Sequence, residues 1–177
     1  MIISPASLSD VMILEPELRA DERGYFFRNF CIQELTKAGI GFSPVQVNRA
    51  HTKKAGTLRG LHFQIVPHEE VKVFQCLAGA VFDVVVDVRR DSKNFGRWFG
   101  IELSAANKKM LYVPKGFAHG YETLIDDTEV QYFVSEAYAP ESERGLRYDD
   151  PSVGIRWVVP PTQLSDKDRN LSSLSDL

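Results

Sequence analysis

The sequence predicts an all-β fold, a sandwich or barrel of the jelly-roll kind with a few short helices. Short segments alternate between apolar and polar residues, as strands with one buried face do. Gly, Pro, Asn and Asp separate these segments, and only one stretch has helical periodicity. With 177 residues, 44% of them hydrophobic, the chain can form a single domain, residues 1–177, whose core needs no metal or disulfide.

The elements can be assigned in chain order. The helical stretch is Cys31–Gly39, and Gly39 ends it because glycine readily adopts the left-handed conformation found after a helix. Alternation and turn residues predict strands over Val11–Leu14, Tyr25–Phe30, Val45–Arg49, Leu58–Gln64, Val71–Leu77, Val81–Val88, Trp98–Leu103, Met110–Val113, Ala118–Thr123, Glu129–Ser135 and Ile155–Val158.

The clearest strand, Val81–Val88, carries two carboxylates on one face. Its sequence is VFDVVVDV, so Asp83 and Asp87 point to the same side as two of the valines. This pattern predicts a face that is partly wet or that lines a polar cavity. Ala78-Gly79-Ala80 predicts a tight turn to the preceding strand, Val71–Leu77.

Composition excludes several classes of protein. A net charge of −3 predicts no general attraction to nucleic acid or to an anionic membrane. Cys31 and Cys76 are too few for a disulfide framework or a four-cysteine zinc site. The N-terminal residues lack the pattern of a signal peptide, and no stretch reaches the roughly 18 apolar residues of a membrane helix. We therefore expect a cytoplasmic protein.

The segment Leu58–Gln64 contains the first candidate for a functional side chain. Strand alternation places His62 on one face, together with Gly60, and Arg59 on the other. Gly60 would let a ligand approach the backbone beside His62. The alternative is that His62 is a hydrogen-bonded interior histidine.

A second segment, Val113–Gly120, resembles the second motif of the cupin barrels, in which the histidine, here His119, points into the barrel. The first cupin motif supplies His-x-His followed by Glu as metal ligands, but here it reads His62-Phe63-Gln64. An amide oxygen is a weak ligand for zinc or iron. A metal site made of His62, His119 and either Glu69 or Glu70 remains an alternative.

Two further patterns suit a nucleotide ligand. No acidic residue occurs between Glu34 and Glu69, whereas the following basic residues lie in or next to that stretch: Lys37, Arg49, Lys53, Lys54, Arg59 and Lys72. Such a stretch suits a small dianion such as pyrophosphate, or is a solvated basic face. The following aromatic residues could stack on a base or belong to the core: Tyr25, Phe26, Phe27, Tyr132, Phe133 and Tyr138.

Taken in order, these pieces resemble the dTDP-4-dehydrorhamnose 3,5-epimerase family of cupin-like sugar-nucleotide epimerases. The resemblance runs over nearly the whole chain. Its motifs are Asp21-x-Arg23-Gly24-x-Phe26, Gln46-x-Asn48, Gly56-x-Leu58-Arg59-Gly60-Leu61-His62-Phe63-Gln64, Lys72, Asp83–Arg89, Ser92 with Gly96-x-Trp98, Val113–Gly120, Tyr132, Tyr138-x-Pro140-x-x-Glu143, Asp150-Pro151, Ile155-x-Trp157 and Leu164-Ser165-x-Lys167-Asp168.

The resemblance implies a cupin-type jelly-roll β-barrel that epimerises a nucleotide-linked 4-keto-6-deoxyhexose at C3, C5 or both, with neither a metal nor an organic cofactor. It implies that His62 is the base and that Asp168 is its carboxylate partner. Tyr132 would be the acid on the opposite face of the sugar, and Lys72 would stabilise the enolate.

The resemblance also implies a set of substrate contacts: Arg23, Phe26, Arg28, Gln46, Asn48, Arg59, His119, Tyr138 and Glu143. Family members are homodimers that exchange N-terminal strands, so the aromatic residues near Tyr25 would complete the neighbouring subunit's nucleotide site. The C-terminal tail, residues 164–177, would close the site. The expected partner is a nucleotide-sugar substrate, with no nucleic acid and no membrane.

The sequence departs from the family pattern at three positions. Arg28 stands where Glu is usual, Ala50 where Ser is common, and Tyr148 where Trp is common. Because Arg can only donate hydrogen bonds, Arg28 suggests a base other than thymine, such as the cytosine of a CDP-sugar, or an Arg28 turned to solvent with thymine retained. The residues also leave open a single-carbon epimerase, a metal-dependent cupin isomerase or dioxygenase, and a non-catalytic sugar-nucleotide binder.

Overall fold

The computed structural model describes residues 1–177 and consists mainly of strands. The thirteen strands are β1 (Ile2–Pro5), β2 (Met12–Glu15), β3 (Arg19–Asp21), β4 (Gly24–Phe26), β5 (Gln46–Thr52), β6 (Leu58–Gln64), β7 (Lys72–Ala78), β8 (Ala80–Asp87), β9 (Trp98–Ser104), β10 (Met110–Val113), β11 (Phe117–Thr123), β12 (Thr128–Val134) and β13 (Glu143–Gly145). The helices are α1 (Ile32–Lys37) and α2 (Asp166–Arg169), with 3₁₀ turns at Pro140–Ser142 and Leu174–Asp176.

The strands form two large antiparallel sheets and one small hairpin. The six-stranded sheet has the order β1-β2-β10-β7-β12-β5, the five-stranded sheet has the order β13-β6-β11-β8-β9, and β3 pairs with β4. The low helix content and this two-sheet architecture confirm the all-β, cupin-type jelly-roll prediction. None of the helices has the length and apolarity needed to cross a bilayer.

The core between the sheets occupies one part of the barrel interior. It is a cluster of twelve buried residues that includes Phe74, Cys76, Val81, Val85 and Val130. Along β7 and β12, the residues that face this core give way to polar side chains toward the other end of the interior. That arrangement leaves room for a cavity whose walls are the two sheets.

Both outer faces of the sheets are covered by irregular chain. Leu35, Ile40 and Phe42 of the α1 region pack on the six-stranded sheet. Leu146, Val153 and Leu174 of the C-terminal region pack on the five-stranded sheet. This second layer explains why β8 is buried on both faces, since Val84 and Val86 lie beneath the C-terminal region while Val81 and Val85 lie inside the barrel.

Strand β8 carries two buried carboxylates and begins at a tight glycine turn. Asp83 and Asp87 are fully buried, so the first alternative, a partly wet face, is wrong, and only the second alternative, a face toward a polar cavity, remains. Their carboxylates are instead paired, Asp83 with His119 and Asp87 with Arg89. Gly79 makes the tight turn to β8 at φ +81°, a conformation that disfavours any side chain.

Most strand predictions agree with the structure to within one or two residues. Tyr25–Phe30 is shorter than predicted, because β4 ends at Phe26. Ile155–Val158 is not a strand, and that prediction is wrong. The backbone N–H groups of Val158 and Val159 donate to the buried Glu122 carboxylate rather than to a neighbouring strand. The pattern did not predict β1, β3, β13 or α2, all of which have four residues or fewer.

Candidate active site

The two sheets enclose a cavity of about 500 Å³ that collects polar side chains from five regions of the chain. A second chamber of about 320 Å³ shares three of its lining residues, His62, Lys72 and Tyr132. The fourth predicted catalytic residue, Asp168, lines only the larger cavity, so all four line that cavity.

His62 and Asp168 form a hydrogen-bonded pair at one wall of the cavity. The Nε2 atom of His62 lies 2.7 Å from Oδ1 of Asp168, although the two residues are 106 positions apart. The imidazole remains partly exposed, while the carboxylate side chain is only 6% exposed. Because Asp168 engages Nε2, it favours the tautomer that leaves Nδ1 free to accept a proton.

Helix α2 holds Asp168 in place. Ser165 is the N-cap of this helix, and its Oγ accepts a hydrogen bond from the backbone N–H of Asp168 at 3.0 Å. Burial alone would raise the pKa of Asp168, but hydrogen bonds from His62 and Ser165 outweigh it and hold the pKa below its usual value. Asp168 is therefore an anion at neutral pH and can stabilise an imidazolium.

Tyr132 comes from the opposite sheet. Its ring stacks on that of Phe74, with 5.8 Å between centroids and 22° between planes. Burial is the main cause that raises the pKa of Tyr132, and the negative charge of Glu70 raises it further. The phenol is therefore protonated at neutral pH and can act as a proton donor.

Lys72 is buried and lines both chambers. Its Nζ atom forms an ion pair with Oε1 of Glu70 at 2.9 Å and donates to the backbone oxygen of His62 at 3.3 Å. The Lys72 and Glu70 side chains are 11% and 13% exposed. This ion pair holds a positive charge at the cavity wall, where it can stabilise an anion that forms on a ligand.

His119 forms a second histidine–aspartate pair beside the first. It is the cross-strand neighbour of His62, and its Nε2 atom lies 2.8 Å from Oδ1 of Asp83. Burial raises the pKa of Asp83, and the neighbouring His119 offsets part of that effect. His119 is only 6% exposed and packs edge-on against Phe74, so its orientation is well defined.

Arg59 lines the same cavity as His62, so the prediction that they lie on opposite faces is wrong. The pairing of β6 with β11 shifts register between His119 and Tyr121, which breaks the alternation at this point. Gly60 does not make room for a ligand. A Cβ atom at Gly60 would lie 2.6 Å from the Cα atom of Gly120, so both glycines serve the close approach of two strands.

Four further predicted substrate contacts line the second chamber: Gln46, Asn48, Tyr138 and Glu143. Glu143 accepts hydrogen bonds from the Tyr138 hydroxyl at 2.7 Å and from Lys167 Nζ at 2.6 Å. Burial would raise the pKa of Glu143, but these two donors lower it overall.

Ten of the sixteen residues that line the main cavity were not among the predicted site residues, and three of them have large side chains that matter for its chemistry and shape. Lys167, Tyr121 and Phe74 line the main cavity. Glu70, which lines the second chamber, was predicted only as a candidate metal ligand. The Leu164–Asp168 motif contained Lys167, but nothing in the local pattern marks Tyr121 or Phe74 as different from ordinary strand residues. Their place in the cavity depends on which strands face each other.

The structure does not assemble the metal ligands of the metal-site hypothesis. The amide of Gln64 donates to the backbone oxygens of His68 and Ala137 and accepts from the backbone N–H of Ala139. No group of three or more His, Cys, Asp or Glu side chains is arranged to hold a metal ion. Gln64 thus anchors backbone segments.

The six basic residues do not gather at one site, so the prediction that the whole stretch binds a dianion is wrong, and the alternative of a solvated basic face fits most of them. Arg49 pairs with Glu129 and Lys54 pairs with Asp126, both outside the cavity. Of the six basic residues, only Arg59 and Lys72 line the main cavity.

Three predicted substrate contacts lie away from the cavity of their own chain. Arg23 pairs with Asp21 at the β3–β4 hairpin, and Phe26 is 65% exposed at its end. Arg28 pairs with Glu34 of α1 at 2.9 Å. The structure therefore brings ten of the thirteen predicted site residues to the two chambers, and leaves these three on the surface.

Comparison with known proteins identifies the family. The family model described as dTDP-4-dehydrorhamnose 3,5-epimerase matches residues 5–176. A dTDP-4-dehydrorhamnose 3,5-epimerase from Shigella flexneri is 42% identical over 171 residues, which cover 96% of this chain and 94% of that protein. This chain belongs to the dTDP-4-dehydrorhamnose 3,5-epimerase family. The family prediction from the ordered motifs is thereby confirmed.

Solved structures of dTDP-4-dehydrorhamnose 3,5-epimerases share this architecture. The enzyme from Bacillus anthracis, solved with TDP and PPi bound, has a TM-score of 0.94 and 42% identity, and the match covers 97% of this chain and 98% of that one. A dTDP-6-deoxy-D-glucose-3,5-epimerase from Legionella pneumophila, solved in complex with dTDP-4-keto-L-rhamnose, has a TM-score of 0.93 and 39% identity, and the match covers 98% of this chain and 93% of that one.

Proposed function

We propose that this protein epimerises C3 and C5 of a dTDP-linked 4-keto-6-deoxyhexose, converting dTDP-4-dehydro-6-deoxyglucose to dTDP-4-dehydrorhamnose without a metal. One observation carries the proposal. His62 belongs to the five-stranded sheet and Tyr132 to the six-stranded sheet, and both line the same cavity. Inversion at carbon requires that a proton leaves one face of the sugar and returns to the other, which suits two groups on opposite walls.

The proton is removed by His62. The C4 ketone acidifies the hydrogens on C3 and C5, because the electron pair left by the proton delocalises onto the C4 oxygen. Nδ1 of His62 takes the proton, and the buried Asp168 anion stabilises the resulting imidazolium. A base in such a position contributes a factor of about 10²–10⁴ in rate.

The enolate is stabilised by Lys72 and reprotonated by Tyr132. The Nζ atom of Lys72 interacts with the oxygen that gains negative charge, a kind of contact worth about 10²–10³ in rate when a donor is removed. The Tyr132 hydroxyl gives its proton to the carbon from the other face. Solvent then returns a proton to the phenolate and removes one from His62, which restores the enzyme for the second carbon.

Substrate recognition falls to the remaining polar residues of the two chambers. We assign Arg59 to the sugar diphosphate, because its guanidinium carries hydrogen-bond donors and lines the main cavity. We assign His119 to a hydroxyl group of the sugar, because Asp83 engages its Nε2 atom and leaves Nδ1 as an acceptor. Gln46, Asn48, Tyr138 and Glu143 form the second chamber and suit hydroxyl groups or a base edge.

The N-terminal hairpin completes the site of a second copy in this proposal. Tyr25 and Phe26 are 60% and 65% exposed, which leaves their aromatic rings free to contact a second copy. A homodimer would let Arg23, Phe26 and Arg28 reach the partner's nucleotide. Sedimentation should show a dimer, and a monomeric wild-type protein with full activity would contradict this part of the proposal.

The activity is tested by proton NMR in deuterium oxide with dTDP-4-keto-6-deoxyglucose. Deuterium at both C3 and C5 would establish the 3,5-epimerase, whereas deuterium at one carbon would establish a single-carbon epimerase. Absence of exchange with both the dTDP-linked and the CDP-linked sugar would refute epimerase activity. The matched variant is His62→Ala, which should lose exchange at both carbons and still bind dTDP in calorimetry.

A further inference from the structure

Helix α2 contacts two neighbouring strands of the five-stranded sheet through consecutive side chains. Asp168 bonds to His62 on β6. Lys167 pairs with Glu143 on β13, where its Nζ atom lies 2.6 Å from Oε1. Strand β13 is the neighbour of β6, with Gly145 opposite His62. Lys167 lines the main cavity, yet neither the proton transfers nor the assigned substrate contacts involve it.

Glu143 lies on the same wall of the site as His62. It is two residues from Gly145, the cross-strand partner of His62, so Glu143 and His62 occupy one face of the sheet. Diagonal positions of this kind lie about 7–8 Å apart. Both side chains line the second chamber, and the Glu143 side chain is only 17% exposed. A negative charge on Glu143 therefore acts on His62 with only partial screening by water.

Glu143 is ionised at neutral pH. Burial would raise its pKa, but Lys167, the Tyr138 hydroxyl and a positive charge on His62 together hold the pKa below its usual value. The interaction of two charges is reciprocal, so the Glu143 anion favours the imidazolium form of His62. An imidazolium cannot accept a proton from the sugar. Without compensation, Glu143 would therefore make the base less available.

Lys167 is placed to provide that compensation. Its ammonium group contacts the Glu143 carboxylate, so the pair adds no net charge beside His62. The hydrogen bond to Glu143 raises the pKa of Lys167, so the ammonium stays charged over the whole range in which histidines titrate. The lysine side chain is 54% exposed, and solvent screens part of its charge. We therefore expect a smaller effect than that of a fully buried ion pair.

The other titratable and charged groups around His62 come from several elements and stay the same when this ion pair is changed. They are Asp168, Tyr138, Arg59, Tyr132, Lys72 with its partner Glu70, and His119 with its partner Asp83. A change confined to Lys167 or Glu143 therefore reports on this ion pair.

We propose that the Lys167–Glu143 ion pair sets the pH range in which His62 is available as a base, because Lys167 neutralises a carboxylate that would otherwise hold the imidazole protonated. The inference rests on the proposed function for the role of His62. Lys167 is a positioning residue in this scheme, since it acts on His62 through Glu143 and takes no part in proton transfer. Asp168 orients the imidazole, and Lys167 keeps it neutral before the substrate binds.

The test is the pH dependence of kcat/KM for dTDP-4-keto-6-deoxyglucose, which reports the protonation of the free enzyme. Lys167→Met leaves Glu143 without its counter-charge, so the acid limb should move by about 0.5–1 pH unit to higher pH. On that limb, such a shift is a loss of about three- to tenfold in rate. Glu143→Gln leaves the lysine without its counter-charge, so the acid limb should move in the opposite direction, to lower pH.

The double variant, Lys167→Met with Glu143→Gln, carries neither charge. It should return the acid limb to its wild-type position, even if KM stays raised. A lost substrate contact or a folding defect would not be restored by removing a second group. The matched control is Arg169→Met, which removes an exposed positive charge from the same helix but lines neither chamber, and should leave the acid limb in place.

Several results would overturn the inference. One is an acid limb that does not move in Lys167→Met, whether or not KM rises, because the lysine would then serve only the ligand or the fold. Another is a shift to higher pH in Glu143→Gln. A third is a double variant that keeps the shift of Lys167→Met. Circular dichroism establishes that each variant is folded, and if Lys167→Met is not, the direction of the shift in Glu143→Gln decides.

Titration of the imidazole by NMR separates this inference from the proposed function, because it needs no substrate. The His62 ring signals of the free protein can be assigned by their absence in His62→Ala. They should titrate at higher pH in Lys167→Met and at lower pH in Glu143→Gln. If wild type does not turn over the dTDP sugar, the proposed function fails and this titration alone decides on the ion pair. Unchanged titration in both variants would overturn the inference.

Discussion

Replacing Asp168 with Asn should leave the protein folded while blocking its base. In the wild type, the carboxylate accepts the Nε2 proton of His62 over 2.7 Å, so Nδ1 is unprotonated. The backbone N–H of Gly60 also acts on this carboxylate. An Asn side chain that keeps its oxygen toward Gly60 turns its NH₂ group toward Nε2. That group can only donate, so the Nε2 atom loses its proton and Nδ1 gains one.

The magnitude follows from losing both the base and the stabilised imidazolium. A base contributes a factor of about 10²–10⁴, and a carboxylate-to-amide change behind a catalytic histidine costs up to about 10⁴ in other enzymes. We expect hydrogen–deuterium exchange at C3 and C5 to slow by about 10²–10⁴, or about 3–5 kcal/mol in barrier height. Calorimetric affinity for dTDP should be unchanged.

The control for Asp168→Asn lies on the same short helix. Asp166→Asn makes the same chemical change at an exposed position two residues earlier, and should keep wild-type exchange. The assay is proton NMR in deuterium oxide, with circular dichroism to establish that both variants are folded. An Asp168→Asn rate within threefold of wild type would refute the reasoning that Asp168 sets the tautomer of His62.

Three further outcomes follow from the site. Tyr132→Phe should slow epimerisation more than exchange, because His62 can still remove and return a proton on one face; equal losses would argue against a separate acid. Glu70→Gln removes a charge that raises the pKa of Tyr132, so the alkaline limb of kcat/KM should move to lower pH, whereas Glu69→Gln should leave the profile in place. Ser165→Ala removes the N-cap of α2 and should lower the free energy of unfolding in urea by about 0.5–2 kcal/mol; an unchanged value would show that the cap contributes nothing.

Strand periodicity predicted the barrel well because most of its strands have a local signature. β6 and β10 match their predicted bounds, β5 ends three residues later than predicted, and the other long strands differ by one residue at either end. The wrong strand prediction concerns a segment whose hydrogen-bond partner is distant in the sequence. Ile155–Val158 has the composition of a strand, but the buried Glu122 carboxylate takes the backbone donors that follow it. No local pattern can reveal that a side chain from β11 will compete with a strand.

The site residues were predicted through ordered motifs, and their geometry was not. The family resemblance named His62 and Asp168 together, yet 106 residues separate them, and only the docking of α2 against β6 brings them into contact. Alternation placed Arg59 away from His62, because a register shift inside a strand leaves no trace in hydrophobic periodicity. Tyr121 also has the sequence context of an ordinary strand residue, because its place in the cavity depends on which strands face each other.

The amino-acid sequence by itself determined the fold class, the family and the set of chemically competent side chains, because alternation, turn residues and motif order are local properties. The tertiary structure alone decided which oxygens and nitrogens meet. It paired Asp83 with His119 and Glu70 with Lys72, and it dispersed the basic stretch. These contacts depend on the strand order and register of the two sheets. The alternation of residues along a strand does not specify which strands of the opposite sheet it will face.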